Sequence, residues 1–140
     1  MFPPPGQARR IRNPQQPKEM SSTSRSAALR SPKVVDKPWG REIWYAHEER
    51  YAGKIIEVTK GHALSLQKHE RKQETMYLQS GKLLYHLNGE DFEMSPGECI
   101  TIRPGDVHRI TAIEDAVVLE VSTPELDDVI RLEDRYGRGS

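Results

Sequence analysis

From Lys33 onward the chain runs in short blocks of alternating apolar and polar residues, and no block before the end sustains a helical period. The blocks REIWYA (41–46), GKIIEVTK (53–60), HALSLQKH (62–69), ETMYLQS (74–80), KLLYHLN (82–88), DFEM (91–94), ECITIR (98–103), HRITAI (108–113) and AVVLEVS (116–122) are predicted strands. Aromatic and β-branched residues crowd them, as a pleated and half-buried surface prefers. Between them SGK, NGED, SPGE, RPGD and IEDA supply the Gly, Pro, Asn and Asp that tight reversals need. So many short strands at close spacing predict an all-β sandwich or barrel. Only the last segment breaks the pattern. In ELDDVIRLE (125–133) Leu126, Val129, Ile130 and Leu132 lie close to helical spacing, with Asp127 and Asp128 in the first turn, and a short helix is predicted there.

The first 33 residues are of another kind. FPPPGQ, NPQQPK and SSTSRSAALRSP offer almost nothing to bury, so ordering entropy is not offset and a disordered tail over 1–33 is expected, with one domain over 34–140. Seven Lys or Arg against the single acid Glu19 put this tail at +6, while fourteen against twenty put the remainder at −6. The net charge of zero therefore conceals a basic tail on a mildly acidic body, which leaves no surface for nucleic acid. The tail has no continuous apolar core of a signal peptide, and no stretch is long enough to cross a membrane, so a cytoplasmic location is expected. Translation from Met20 is an alternative reading of the same segment.

Cys99 is the only cysteine, which excludes an internal disulfide; its place in ECITIR predicts a buried, inert thiol. The candidate chemistry lies elsewhere. Gln67 and His69 are two apart, so on a strand they share a face, while Leu64, Leu66 and Lys68 share the other. That second apolar face, with Ile55 beside Ile56, predicts a second subunit packed against it and hence a homodimer. His47, His62 and His86 are read as ordinary strand or turn histidines.

Gly61, Gln67, His69, Glu74 and Gly81, followed by Gly97, Gly105 and His108, are spaced as in the two motifs of the cupin superfamily, and the chain resembles that family. The Gln-x-His pair within SLQKH, VHR at 107–109, KPWG at 37–40 and DDVIRLEDRYGR at 127–138 are similar to the cupin part of the type II mannose-6-phosphate isomerases, in which that part follows a mannose-1-phosphate guanylyltransferase domain. The second motif departs from the pattern at Arg103 and Ala112, and the segment HERK (69–72) departs from the family's HHHR, with Lys72 at the usual Arg.

The resemblance implies a double-stranded β-helix, the cupin jelly roll, with one divalent metal held by Gln67, His69, Glu74 and His108. Zinc is the expected ion, and Mn, Fe, Co and Ni also suit a mixed N/O set. It further implies a sugar-phosphate aldose–ketose isomerase of the mannose-6-phosphate type, in polysaccharide precursor metabolism. There a metal polarises the C1 and C2 oxygens while a proton moves through an enediolate. Lys72, Arg109, Arg103 and Arg138 are the candidate cations for substrate, with Lys72, Arg109 and Arg138 also the catalytic candidates. Tyr136 and Arg138 are placed near the entrance by the EDRYGR signature. The general base stays open among Tyr85, His86, Glu57 and Lys60. Two other readings remain: a non-catalytic sugar-binding or regulatory cupin, and an Fe(II) dioxygenase built on His69, His108 and Glu74. The guanylyltransferase activity is not expected, since it requires a longer chain and a Gly-rich motif.

Overall fold

The computed structural model describes residues 25–138, so most of the expected tail, Met20 included, lies outside the described residues. Of the described residues, those up to Arg30 belong to one unit and those from Ser31 to another. Within the first, Arg25–Ala28 make a single turn of 3-10 helix. The second unit consists of nine strands: β1 (Lys33–Lys37), β2 (Gly40–His47), β3 (Ala52–Val58), β4 (Leu66–Lys68), β5 (Glu74–Leu87), β6 (Glu90–Met94), β7 (Cys99–Ile102), β8 (His108–Ser122) and β9 (Ile130–Glu133). All pairings are antiparallel. The order β1-β2-β3-β8-β4-β9 runs along one side, while β5 pairs β8 on one edge and both β6 and β7 on the other, so the sheet curls into a double-stranded β-helix.

Two long bent strands carry this architecture. β5 and β8 pair from Glu74↔Ser122 to Leu87↔His108, with irregularities between Leu78 and Leu83. The predicted turns SGK and IEDA are therefore not reversals: each pair of predicted blocks, 74–80 with 82–88 and 108–113 with 116–122, is one strand. The irregularity has a use. Before it β5 buries Glu74, Met76 and Leu78; after it, Leu83 and Tyr85. Even positions give way to odd ones, so the inserted residue keeps the apolar side inward while the strand bends. Gly81 sits at the bend with φ of 87°, and a Cβ there would lie 2.1 Å from the Asp115 carbonyl oxygen, which explains why the bend takes glycine.

The other differences have equally local causes. β1 extends the sheet along β2, a strand that the weak alternation of KVVDK did not announce. The predicted strand at 62–69 shrinks to Leu66–Lys68, because 62–65 cross the barrel end on isolated bonds such as Leu64 N–H to the Ile110 carbonyl, 3.0 Å. Leu64 thereby reaches the same cavity as Gln67, so the expected opposition of their faces fails there. In place of the predicted helix at 125–133 there is a turn followed by β9, whose Arg131 pairs with Gln67. The Asp128 carboxylate is drawn to the backbone N–H groups of Glu70, Arg71 and Lys72, at 3.2, 2.7 and 3.0 Å, where a helix would have used it as a cap. Cys99 is exposed, not buried, since it lies at the outer start of β7.

The core of the barrel is packed with Trp39, Ile56, Val58, Leu78, Leu83, Tyr85, Ile102, Ile110 and Val118, of which Trp39 and Ile56 reach the cavity. Elsewhere the inward positions turn polar, and Glu42, Lys54, Lys72, Glu74, His69, His108 and Glu120 are all buried. Buried ionisable groups are costly unless paired, so this part marks chemistry.

Candidate metal centre and its pocket

His108 opens β8, Gln67 lies directly across from it on β4, and Glu74 opens β5 beside them. His69 follows β4 by one residue. One ligand atom from each of His69, Glu74 and His108 can be chosen so that all lie within 4.8 Å of one another. His69 Nε2 is 3.4 Å and His108 Nε2 3.2 Å from Glu74 Oε1, and all three side chains are 2% exposed.

Hydrogen bonding fixes what these atoms are. His69 Nδ1 donates to the Asp128 carbonyl at 2.6 Å and His108 Nδ1 donates to the Asp106 carbonyl at 2.9 Å. A carbonyl can only accept, so both imidazoles carry their proton on Nδ1 when neutral and turn a lone pair inward at Nε2. His69 Nε2, His108 Nε2 and Glu74 Oε1 are buried without hydrogen-bond partners. Three acceptors converging in a dry site repel one another unless a cation lies among them, and two imidazoles with one carboxylate suit a divalent first-row metal. The donor set thus fits the ion expected from the sequence. Gln67 lines the same cavity as His69 and Glu74.

The cavity measures about 190 Å³ and is partly open. Its walls include Trp39, Ile56, Leu64, Met76 and Leu126 on the apolar side, and the charged residues Glu42, Lys54, Lys72, Glu74, Glu120, Lys37, Arg131 and Arg138. Lys72 Nζ lies 3.0 Å from Glu74 and 3.6 Å from Glu120. Burial pushes its pKa down, but the charges of Glu120 and Glu74 raise it further, so Lys72 is a fixed ammonium. For Glu120 burial and the neighbouring Glu74 charge both push upward, well above the carboxylate range, with Lys72 opposing. For Glu74 burial also pushes upward, while Glu120 and the Lys72 ammonium pull it down, and the imidazoles of His108 and His69 add to that pull only in their protonated, non-ligating form. The two neighbouring carboxyls are thus pushed in opposite directions, Glu74 down and Glu120 up. Across the cavity Lys54 Nζ and Trp44 Nε1 both donate to Glu42 Oε1, at 3.0 and 2.8 Å.

The expected cations divide. Lys72 and Arg138 line the cavity; Arg109 and Arg103 do not. Arg109 instead donates to the Leu64 and Glu133 carbonyls, each at 3.1 Å, and ties β8 to the crossing segment and β9. Arg138 is held by Asp134 through bonds of 2.8 and 3.0 Å. Tyr136 lies off the pocket, its hydroxyl 2.7 Å from His62 Nδ1. None of the candidate bases lines the cavity: Tyr85 donates to Met76 Sδ, His86 pairs with Asp91, Glu57 pairs with Arg41, and Lys60 is exposed. Glu120, Glu42, Lys54, Lys37 and Arg131 were missed. A usable signal existed for Glu120, which shares its strand parity with the apolar Ala116 and Val118 and so had to point inward.

Residues 54–122 match the family model described as Cupin domain. The mannose-1-phosphate guanylyltransferase ManC of Salmonella typhimurium is 35% identical over 109 residues, covering 74% of this chain and 23% of that protein. The mannose-1-phosphate guanylyltransferase of Escherichia coli K12 is 31% identical over the same shares. The chain thus spans about a quarter of the length of these relatives. Among solved structures, KdgF from Halomonas sp. superposes with a TM-score of 0.62 at 24% identity, over 69% of this chain and 89% of that one. A putative sugar phosphate isomerase from Acidithiobacillus ferrooxidans does so at 0.57 and 15%, over 72% of each chain. At these identities the two structures establish the fold alone. No helix among the described residues is long and apolar enough to cross a membrane.

Proposed function

Because this chain belongs to the cupin superfamily and is related in sequence to the cupin part of mannose-1-phosphate guanylyltransferases, we propose that it is a metal-dependent aldose–ketose isomerase acting on a small sugar phosphate of the mannose 6-phosphate type. The observation that carries this reading is the convergence of His69 Nε2, His108 Nε2 and Glu74 Oε1, three buried acceptors without partners, beside a polar cavity that His69, Glu74 and Gln67 line.

In this reading His69, His108 and Glu74 hold the ion, with Gln67 as a neutral fourth ligand, and zinc is the expected occupant. A divalent ion with a single negative ligand supplies a Lewis acid that polarises the adjacent oxygens of a sugar. The Asp128 and Asp106 carbonyls keep both imidazoles in the ligating tautomer. Glu120, set in the pocket wall with its carboxyl pushed upward by burial and the Glu74 charge, is the candidate for exchanging a proton with the substrate. Lys72 keeps its ammonium beside both glutamates and stabilises negative charge as it develops nearby. Ile56, Leu64, Met76 and Leu126 limit water around the reacting carbons.

A coupled assay for fructose 6-phosphate formed from mannose 6-phosphate tests the reading. Turnover that a chelator abolishes and added divalent ion restores supports it. Metal bound in stoichiometric amount without turnover would transfer the site to a sugar-binding role.

The cytoplasmic location and the homodimer belong to the same proposal. Ile43, Ile55, Leu119 and Tyr77 stand opposite one another on β2, β3, β8 and β5 and point outward, with Tyr45 and Val121 in the next row. Tyr45, Tyr77 and Val121 are 42%, 43% and 57% exposed, which makes this apolar strip the expected face for a second copy. Light scattering should give twice the chain mass of 16.0 kDa, and the single-chain mass would remove the dimer.

A further inference from the structure

The charges around the cavity do not cancel locally. Lys54 is matched by Glu42, Lys72 by Glu74 and Glu120, and Arg138 by Asp134. Lys37 and Arg131 remain: among the described residues neither has a carboxylate within 4.0 Å. Arg131 Nε is buried with no hydrogen-bond partner. An orphaned guanidinium N–H in a pocket wall costs free energy unless a ligand completes it. The cations also crowd each other. The Lys37 ammonium is pushed down by its burial, raised in part by Glu42, and pushed down again by Lys54, Arg138 and Arg131. An anion placed among them would relieve that repulsion.

Register gives this cluster its position. Gln67 stands opposite His108 on one side and opposite Arg131 on the other. Directly opposed residues project to the same face of a sheet, so His108, Gln67 and Arg131 form a row across three strands. Neighbouring strands are about 4.8 Å apart, which puts Arg131 roughly 10 Å from the strand of His108. That span suits a six-carbon chain with its carbonyl end at the imidazoles and an anionic group at the far end.

We propose that Arg131, with Lys37 and Arg138 beside it, forms a subsite for the phosphoryl group of the substrate. The proposal rests on the sugar-phosphate reading but does not require turnover. Arg131 supplies the planar N–H donors that match phosphate oxygens, and Lys37 adds a point charge from β1. Arg138 is oriented by Asp134 toward the same wall. The cations singled out from sequence, Arg109 and Arg103, are excluded by their positions, and Lys72 is engaged by the two glutamates.

The test titrates inorganic phosphate into the purified full-length protein by calorimetry, for the wild type, Arg131→Gln, Lys37→Gln and, as a surface control, Arg103→Gln. Circular dichroism confirms that each variant is folded. Expected is measurable binding to the wild type and the control, weakened about tenfold or more in Arg131→Gln and Lys37→Gln, with partial recovery in Arg131→Lys. Undiminished binding in both pocket variants would overturn the subsite, because phosphate would then be held by the metal centre or elsewhere. No binding to the wild type would overturn it as well. The mannose 6-phosphate assay keeps the two readings apart. Phosphate binding that depends on Arg131 in a protein without turnover leaves the subsite standing and removes the isomerase. Turnover whose KM is unchanged in Arg131→Gln does the reverse.

Discussion

In the proposed isomerase, Glu120 is the side chain assigned the proton transfer. It is 2% exposed, its Oε2 has no hydrogen-bond partner, and it shares a wall with Glu74 and Lys72. Two carboxyl groups this close oppose each other's ionisation, and burial together with the Glu74 charge pushes Glu120 upward. Glu120→Gln keeps the shape and removes the exchangeable acid. Turnover is expected to fall about a hundredfold or more while metal content stays at the wild-type level. Metal loss in this variant would instead make Glu120 a prop for the ligands. The glycine-framed spacing marks His69, Glu74 and His108 as candidates in the sequence, and the structure brings the three together. For Glu120 no motif marks the position, and the one signal is its strand parity with Ala116 and Val118, which says that it points inward but not into which site.

The turn before β9 shows how a short element can govern the centre. Asp128 binds the 70–72 backbone through its carboxylate and fixes His69 through its carbonyl. A helix at 125–133 would have satisfied the apolar spacing of Leu126, Val129 and Ile130, but it would have withdrawn both contacts and the pairing of Arg131 with Gln67. Local periodicity could not weigh those distant partners, which lie more than fifty residues away in the chain. Asp128→Ala should loosen the 70–72 loop and lower metal affinity about tenfold or more, the usual effect of disturbing the groups that orient a ligating histidine. Metal titration against a competing chelator measures this. Unchanged affinity would show that the loop holds His69 without Asp128.

Across the barrel, alternation and motif spacing made the all-β class and the candidate metal site legible in the sequence. What it hid was continuity: SGK and IEDA have turn composition but act as bends within β5 and β8, because the pairing of the two long strands outweighs the local preference. Hidden too was the C-terminal tie, in which Asp134 holds Arg138, a residue of the pocket wall. The hydrogen bond from Arg138 holds the Asp134 carboxyl at about 2 against burial, below its ordinary 3.8. A lowered folded value means that the tie contributes its full stability above pH 3.8 and loses it as pH falls from 3.8 toward about 2. Thermal midpoints for Asp134→Asn should therefore lie below the wild type at neutral pH and converge with it across that window; parallel curves would show that the pair contributes nothing. The claim beneath all of this is that three converging acceptors hold a metal ion. Elemental analysis of the protein as purified, beside His69→Ala and His108→Ala, tests it most directly. Expected is one divalent ion per wild-type chain and its loss from both variants; a wild type without bound metal, or variants that retain it in full, would contradict the claim.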